Sequence, residues 1–173
     1  MTDYPLFTPP DHLAKKGRQN WSTAEAAEYK QWLLNSLDHR VEELTRRLDE
    51  TLVVSPSEHL QRVGEKAVKF FLSPPFSEEK PTGRALTNQG YALAADIGLL
   101  VAKYLLIANP RLISWETIKK PKELAYNLPV LQGFSSNYLD PVGGSVAESM
   151  AVLRGKRGPD AWRRIYDFWV SKA

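Results

Sequence analysis

The chain has 173 residues, of which 43% are hydrophobic and 25% are charged, and its net charge is +3. This composition is typical of a globular domain with a substantial core, and it argues against a wholly disordered chain. The absence of cysteine excludes disulfides, thiolate zinc sites and a cysteine nucleophile. The mild positive charge permits binding of nucleic acid or of an acidic protein without implying either.

The sequence predicts a proline-rich N-terminal arm over residues 1–21 and a single helical domain over residues 22–173. Pro5, Pro9 and Pro10 interrupt the arm, and no apolar run follows a basic start. A secretory signal is therefore not expected, and the cytoplasm is the expected location. We expect the arm to pack on the domain surface through its large apolar side chains. These are Tyr4, Leu6, Phe7 and Leu13.

Start signals and apolar spacing predict the first two helices. Ser22 and Glu25 have the spacing of a capping box, and an apolar stripe follows on one helical face. The stripe consists of Leu33, Leu37, Val41, Leu44 and Leu48. A second helix is predicted to start at Ser55-Pro56 and to end at Ser73-Pro74-Pro75. Prolines, a glycine and charged residues predict a mobile loop over residues 76–86.

A third helix is predicted from the cap residue Thr87 to Asn109, and it is apolar on nearly every side. Such a helix is usually the central one, covered by its neighbours. The stretch Tyr91–Ala108 contains Asp96 and Lys103, which would make it a poor membrane span. Small residues spaced four apart would let another helix approach closely. They are Gly90, Ala94, Gly98 and Ala102.

The remaining sequence predicts a small β element and two more helices. Residues 112–118 and 129–134 have the composition of two antiparallel strands. Residues 135–144 are predicted as a loop, 145–153 as a short helix, and Pro159 as the start of the last helix. The predicted fold class is mainly α, with about five helices around a central apolar helix. An α+β fold is the alternative.

No reactive constellation is evident in the sequence. His39 and Glu43 lie one helical turn apart and could form half of a metal site, but a second such pair is missing. Phosphate-binding glycine loops and nucleophilic serine elbows are also missing. No catalytic residue, metal or cofactor is therefore assigned.

Two carboxylates are candidates for buried polar groups. Asp96 lies in the most apolar helix, where an unpaired charge would be costly. It is expected to pair with Lys103, two turns away, or with an Arg or Trp from another element. An internal hydrogen-bond acceptor is favoured over a proton-transfer group with a raised pKa. Glu116, beside Trp115, has the same two interpretations.

A basic cluster near the C-terminus is the candidate binding surface. It comprises Arg154, Lys156, Arg157, Arg163 and Arg164. Basic groups can contact phosphates, and aromatic rings can stack on bases. However, Trp162, Ile165 and Trp169 have the spacing of a core-facing stripe, so the rings are expected to face inward and to leave only a basic rim.

Part of the C-terminal half resembles a pattern in small bacterial proteins, some of which are thought to act as immunity proteins beside toxin genes. The pattern is the apolar run 92–118 with Trp115, followed by residues 127–131 (Asn-Leu-Pro-Val-Leu) and Asp140-Pro141. The likeness covers about fifty residues. It implies a binding protein rather than an enzyme, and it carries over no functional residue.

The sequence therefore predicts non-enzymatic protein binding in the cytoplasm, as an immunity or accessory protein, with another protein as partner and no membrane. The first alternative is a nucleic-acid-binding module that uses the basic cluster. The second is an enzyme whose site uses Asp96, Glu116 or His39. The sequence defines no oligomeric state.

Overall fold

Helices supply most of the regular structure in the computed structural model, which describes residues 3–51, 54–135 and 137–173. Within these ranges the helices are α1 (Asp11–Ala14), α2 (Thr23–Arg47), α3 (Pro56–Phe71), α4 (Asn88–Ala108), α5 (Pro141–Leu153) and α6 (Ala161–Val170). The strands are β1 (Ser77–Glu78), β2 (Ala85–Leu86), β3 (Ser114–Thr117) and β4 (Pro129–Gln132). The predicted mainly α fold with a small β element is confirmed.

The predicted helix starts are formed by local hydrogen bonds. The Ser22 hydroxyl accepts from the Glu25 amide at 3.2 Å, and the Glu25 carboxylate accepts from the Ser22 amide at 2.6 Å, so α2 begins with a complete capping box. The side chains of Ser55 and Thr87 cap α3 and α4 by each accepting a hydrogen bond from one backbone amide. These bonds satisfy backbone amides that have no partner within the helix.

Helix α4 is the centre of the fold, as its composition predicts. It packs against α2, α3, α5 and α6, and most of its side chains are buried. Two glycines allow close approach of other segments. A Cβ atom at Gly98 would overlap the carbonyl oxygen of Pro141, and one at Gly90 would overlap that of Phe76. The small residues on α4 are therefore required by the chain that lies against them.

By length and hydropathy α4 is also, among the described residues, the one helix that could cross a membrane. However, 67% of its most apolar stretch is buried inside the protein. Its apolar character is used in packing against the other helices.

The predicted β element is present, and a second small one was not expected. Strands β3 and β4 pair antiparallel, with Ser114 opposite Gln132. Strands β1 and β2 also pair, within the segment 76–86 that was predicted to be a mobile loop. The loop prediction is wrong at these two strands, whereas residues 79–84 between them are a turn without regular structure. Phe76 is fully buried against Phe70 and Tyr4, and it holds the start of the segment on the core.

Helix α5 begins earlier than predicted. Its first residue is Pro141, whereas the sequence indicated a loop over residues 135–144, of which Ser136 lies outside the described residues. The Asp140 side chain accepts a hydrogen bond from the Gly143 amide at 2.9 Å, and Pro141 occupies the first helical position. This start signal outweighs the low helix propensity of the two glycines that follow.

The arm is packed on the helices and is partly helical. Tyr4 and Leu13 are buried, whereas Leu6, another predicted anchor, is 49% exposed. The arm contains α1 and a 3₁₀ turn at Arg18–Asn20, which its proline-rich composition did not predict. Met1 and Thr2, which were assigned to the arm, lie outside the described residues.

Replacing Gly98 with alanine is expected to lower the free energy of unfolding by about 1–3 kcal/mol, because the new methyl group forces α5 away from α4. Urea unfolding of the purified protein measures the change. Gly144→Ala is the matched control, since the nearest atom to a Cβ there is 3.8 Å away. That variant should be unchanged or up to about 1 kcal/mol more stable. Equal effects of the two substitutions would contradict the close contact.

Candidate functional site

Asp96 is the centre of a buried polar cluster. It is 1% exposed, and its carboxylate accepts hydrogen bonds from the Tyr4 hydroxyl at 2.7 Å and from Arg40 Nη2 at 2.9 Å. Arg40 Nε also donates to the carboxylate, so the pair is bidentate. The same guanidinium donates to the backbone carbonyls of Pro5 and Leu6. The cluster thus joins α4, α2 and the arm.

The partner of Asp96 is an arginine from another element, which was one of the predicted options. Lys103, the other charged option, instead contacts Asp38 at 2.7 Å. Burial raises the pKa of Asp96 to about 6, while hydrogen bonds and charge from Arg40, and the Tyr4 hydroxyl, act in the opposite direction. Burial also raises the pKa of Tyr4. Because all three polar groups are satisfied by one another, the cluster has a structural role in fastening the arm.

Glu116 is exposed, so its prediction as a buried polar residue is wrong. On β3 successive side chains alternate between two faces, and Glu116 lies on the solvent side, where its carboxylate remains hydrated. His39 is also exposed. Glu116 borders two cavities, and neither contains Asp96 or His39. This separation removes the enzyme site that would have combined them.

The half metal site suggested by His39 is not assembled. Glu43 instead forms ion pairs with Arg46 and Arg47 on the same helix. Across residues 3–51, 54–135 and 137–173 no three histidine or carboxylate side chains converge as metal ligands. His59 is buried, with its ring nitrogens against the Glu50 carbonyl and the Tyr104 hydroxyl, and burial lowers its pKa.

The predicted basic surface is distributed over the end of α5, the following loop and α6. Arg154, Lys156, Arg157 and Arg164 are exposed, and Arg163 is half-buried. Arg157 contacts Glu148 at 3.1 Å, and Arg164 lies 3.9 Å from Asp160. The basic cluster is therefore mostly exposed, and two of its five side chains lie near acidic residues.

The aromatic residues of this region divide between core and surface. Trp162 is fully buried and stacks near Phe71, and Tyr166 is buried as well. Phe168, in contrast, is 52% exposed and lies edge-on to Trp169, which packs against Phe134. Trp162 faces inward as its spacing predicts, and Trp169 is half-buried. Phe168 belongs to the same predicted apolar stripe, and the prediction that this stripe faces the core is wrong at Phe168.

Basic and apolar side chains meet in a groove between α5 and α6, which we name the C-terminal groove. Its volume is about 300 Å³. It is lined by Glu148, Arg157, Ala161, Arg164, Ile165, Phe168 and Trp169. Arg157 and Arg164 were predicted from the sequence, whereas the exposed apolar side chains beside them were not.

A second cavity, which we name the aromatic cavity, lies between the arm and the helices and has a volume of about 410 Å³. Two pairs of packed rings contribute to its walls. Phe7 lies edge-on to Tyr91 at 6.0 Å between centroids, and Trp21 lies tilted against Tyr29 at 4.9 Å. The charged groups that line it are Lys16, Arg18 and Asp140.

The polar groups of the aromatic cavity influence one another. Burial raises the pKa of Tyr29 and of Tyr91, the charge of Asp140 adds to each effect, and the Arg18 guanidinium opposes it. Burial likewise raises the pKa of Asp140, against the Gly143 amide and Arg18. These residues were not predicted as a site. They are separated by up to about 120 residues in sequence, and no short motif relates them.

Comparisons with protein-family models, with curated protein sequences and with solved structures found no match to this chain.

Replacing Arg40 with methionine is expected to lower the free energy of unfolding at pH 7 by about 3–5 kcal/mol, because it leaves the Asp96 carboxylate buried without its counter-ion. Tyr4→Phe, which removes a single hydrogen bond, should cost about 1 kcal/mol. Urea unfolding measures both. Arg46→Met is the matched control on the exposed face of α2, and a change within about 0.5 kcal/mol is expected there. A similar loss in Arg40→Met and Arg46→Met would show that the buried pair is not special.

The raised pKa of Asp96 predicts a pH dependence of stability. The folded protein holds this proton more tightly than the unfolded chain, whose pKa is near 3.8. The stabilisation linked to this proton is fully present below about pH 4 and is lost as the pH rises through about 6. As the pH rises over this range, the free energy of unfolding of the wild type should therefore fall relative to that of Asp96→Asn, by on the order of 3 kcal/mol. Unfolding curves measured from pH 4 to pH 7 check this, with exposed Asp38→Asn as control. A difference that is flat, or that grows in favour of the wild type as the pH rises, contradicts the raised pKa.

Proposed function

We propose that this protein is a non-enzymatic, cytoplasmic protein-binding domain, and that the C-terminal groove contacts an acidic, partly apolar segment of its partner. The observation that carries the proposal is the exposed ring of Phe168 beside Arg157 and Arg164 in one groove. A contiguous apolar patch rimmed by charged residues is typical of protein interaction sites, and Phe168 forms such a patch with Ile165 and Trp169.

The charge distribution supports an acidic partner. Residues 154–172 contain six basic and two acidic residues, while the rest of the chain contains seventeen basic and eighteen acidic residues. The positive charge of the protein is therefore concentrated around the C-terminal groove. Complementary charge steers association and selects the partner more than it adds to affinity.

The apolar side chains would supply most of the affinity. Ile165, Phe168 and Trp169 line the groove, and Phe168 has the largest exposed fraction of the three. Aromatic side chains that become fully desolvated at the centre of an interface dominate binding energy. Lys172 lies 5.6 Å from the Phe168 ring and adds a further positive charge at its edge.

The same features favour a protein over a nucleic acid as the partner. Stacking of successive bases needs several accessible rings, and Trp162 and Tyr166 are both buried, which leaves Phe168 as the one mostly exposed ring of α6. The groove offers instead an apolar floor with a charged rim.

An immunity-type role, which the resemblance of residues 92–141 implies, would make a toxin one form of the partner, although the groove lies outside those residues. An immunity protein acts by binding, so it needs a surface rather than a reaction centre. The groove is such a surface.

The test is capture of partners by the tagged full chain, in wild-type and variant forms, from nuclease-treated and untreated lysates of its own host. Phe168→Ala is expected to weaken capture by about 30-fold, the equivalent of about 2 kcal/mol for a central aromatic contact. Arg164→Glu should weaken it as well, with a slower association at low salt. The captured protein is then purified and its affinity for each variant is measured by calorimetry.

Leu124→Ala is the matched control, since Leu124 is 89% exposed and does not line the groove. Its capture should equal that of the wild type. A partner that binds all variants equally would place the interface elsewhere. Recovery of nucleic acid that is lost with salt, in place of a protein, would move the function to the nucleic-acid-binding alternative.

A further inference from the structure

We propose that the aromatic cavity is a binding site for a small aromatic amino acid, with the ammonium group at Asp140, the carboxylate at Arg18 and the ring between the aromatic walls. This site is separate from the C-terminal groove, and the proposal does not depend on the proposed function.

The size and walls of the cavity suit a ligand of this kind. A volume of about 410 Å³ lies within the range of small-molecule sites and exceeds that of a single side chain. The rings of Phe7, Trp21, Tyr29 and Tyr91 provide flat apolar surfaces against which an aromatic ring can pack.

The two charges define the polar ends of the ligand. Asp140 and Arg18 both line the cavity, yet among the described residues no ion pair joins them. A molecule that carries one charge of each sign can pair with both residues at once.

The remaining cation of the cavity is already neutralised. Lys16 Nζ contacts both carboxylate oxygens of Glu25, at 2.8 and 2.9 Å. Arg18 uses one Nη2–H bond to the Leu124 carbonyl at 2.6 Å, which leaves further guanidinium donors for a carboxylate. Asp140 uses Oδ1 to cap α5 and keeps further lone pairs for an ammonium group.

The hydroxyl of Tyr29 offers a further polar contact. The Tyr29 side chain lines the cavity, and its hydroxyl makes no hydrogen bond within the described part of the chain. Because this hydroxyl is not among the described buried polar atoms that lack a partner, it is accessible. It can donate to or accept from a polar group of the ligand.

The cavity is held open by interactions outside it. The Asn127 side chain donates to the backbone carbonyls of Arg18 and Trp21, at 2.8 and 3.1 Å. The indole nitrogen of Trp21 donates to the Lys16 carbonyl at 2.9 Å. These bonds fix the wall formed by the arm, so the site is preorganised and little ordering is needed on binding.

The experiment uses three probes that share one ring and differ in charge: L-phenylalanine, phenethylamine without the carboxylate, and 3-phenylpropanoate without the amine. Binding to the full chain is measured by calorimetry. L-Phenylalanine is expected to bind at least about tenfold more tightly than either of the others, because each lacks one charge-assisted hydrogen bond.

Two variants assign the ends of the ligand. Asp140→Asn removes the negative charge but can still cap α5. It should weaken the binding of L-phenylalanine and of phenethylamine by about tenfold or more, and it should leave the binding of 3-phenylpropanoate unchanged. Arg18→Gln should weaken the binding of L-phenylalanine and of 3-phenylpropanoate, and it should leave the binding of phenethylamine unchanged. Tyr29→Phe should weaken the binding of L-phenylalanine, and the protein should remain folded.

Asp160→Asn and Arg111→Gln are the matched controls, since Asp160 precedes α6 and both residues lie outside the cavity. They should bind all three probes as the wild type does, and thermal unfolding verifies that every variant is folded. The proposal is overturned if L-phenylalanine does not bind at millimolar concentration. It is also overturned if the three probes bind equally, or if Asp140→Asn and Arg18→Gln leave L-phenylalanine binding unchanged.

Discussion

The ion pair between Asp96 and Arg40 is the constraint on which the arrangement of the arm depends. A carboxylate inside the central helix is tolerated only because the guanidinium and the Tyr4 hydroxyl replace its lost water. Arg40 also binds the carbonyls of Pro5 and Leu6, so satisfying the charge and docking the arm are one event. The arm then forms a wall of the aromatic cavity.

Helix α5 connects the two candidate binding sites. Its first turn contributes Asp140, Val142 and Gly143 to the aromatic cavity, and Glu148 further along lines the C-terminal groove. The helix is positioned by its close contact with α4, which Gly98 permits. The packing of one helix pair therefore sets the geometry of both sites.

Features that depend on residues close together in sequence were predicted correctly, whereas features that depend on distant residues were not. The caps at Ser22, Ser55 and Thr87 were predicted because the hydrogen bond and the residues that make it lie within four positions. The loop prediction over residues 76–86 failed at β1 and β2, where Phe76 beside β1 is held by Tyr4, a ring that is distant in sequence. The prediction that Glu116 is buried was wrong because the packing of other elements decides which face of a strand is covered.

The sequence by itself determined the mainly α class, the central place of α4 and the need of Asp96 for a partner, because helical periodicity, capping and the cost of a buried charge are local properties. Only the tertiary structure decided that the partner is Arg40 and that Phe168 faces solvent. It also brought Arg18, Tyr29 and Asp140 to one cavity. These long-range arrangements depend on how the helices and the arm pack together, and no spacing along the chain predicts them.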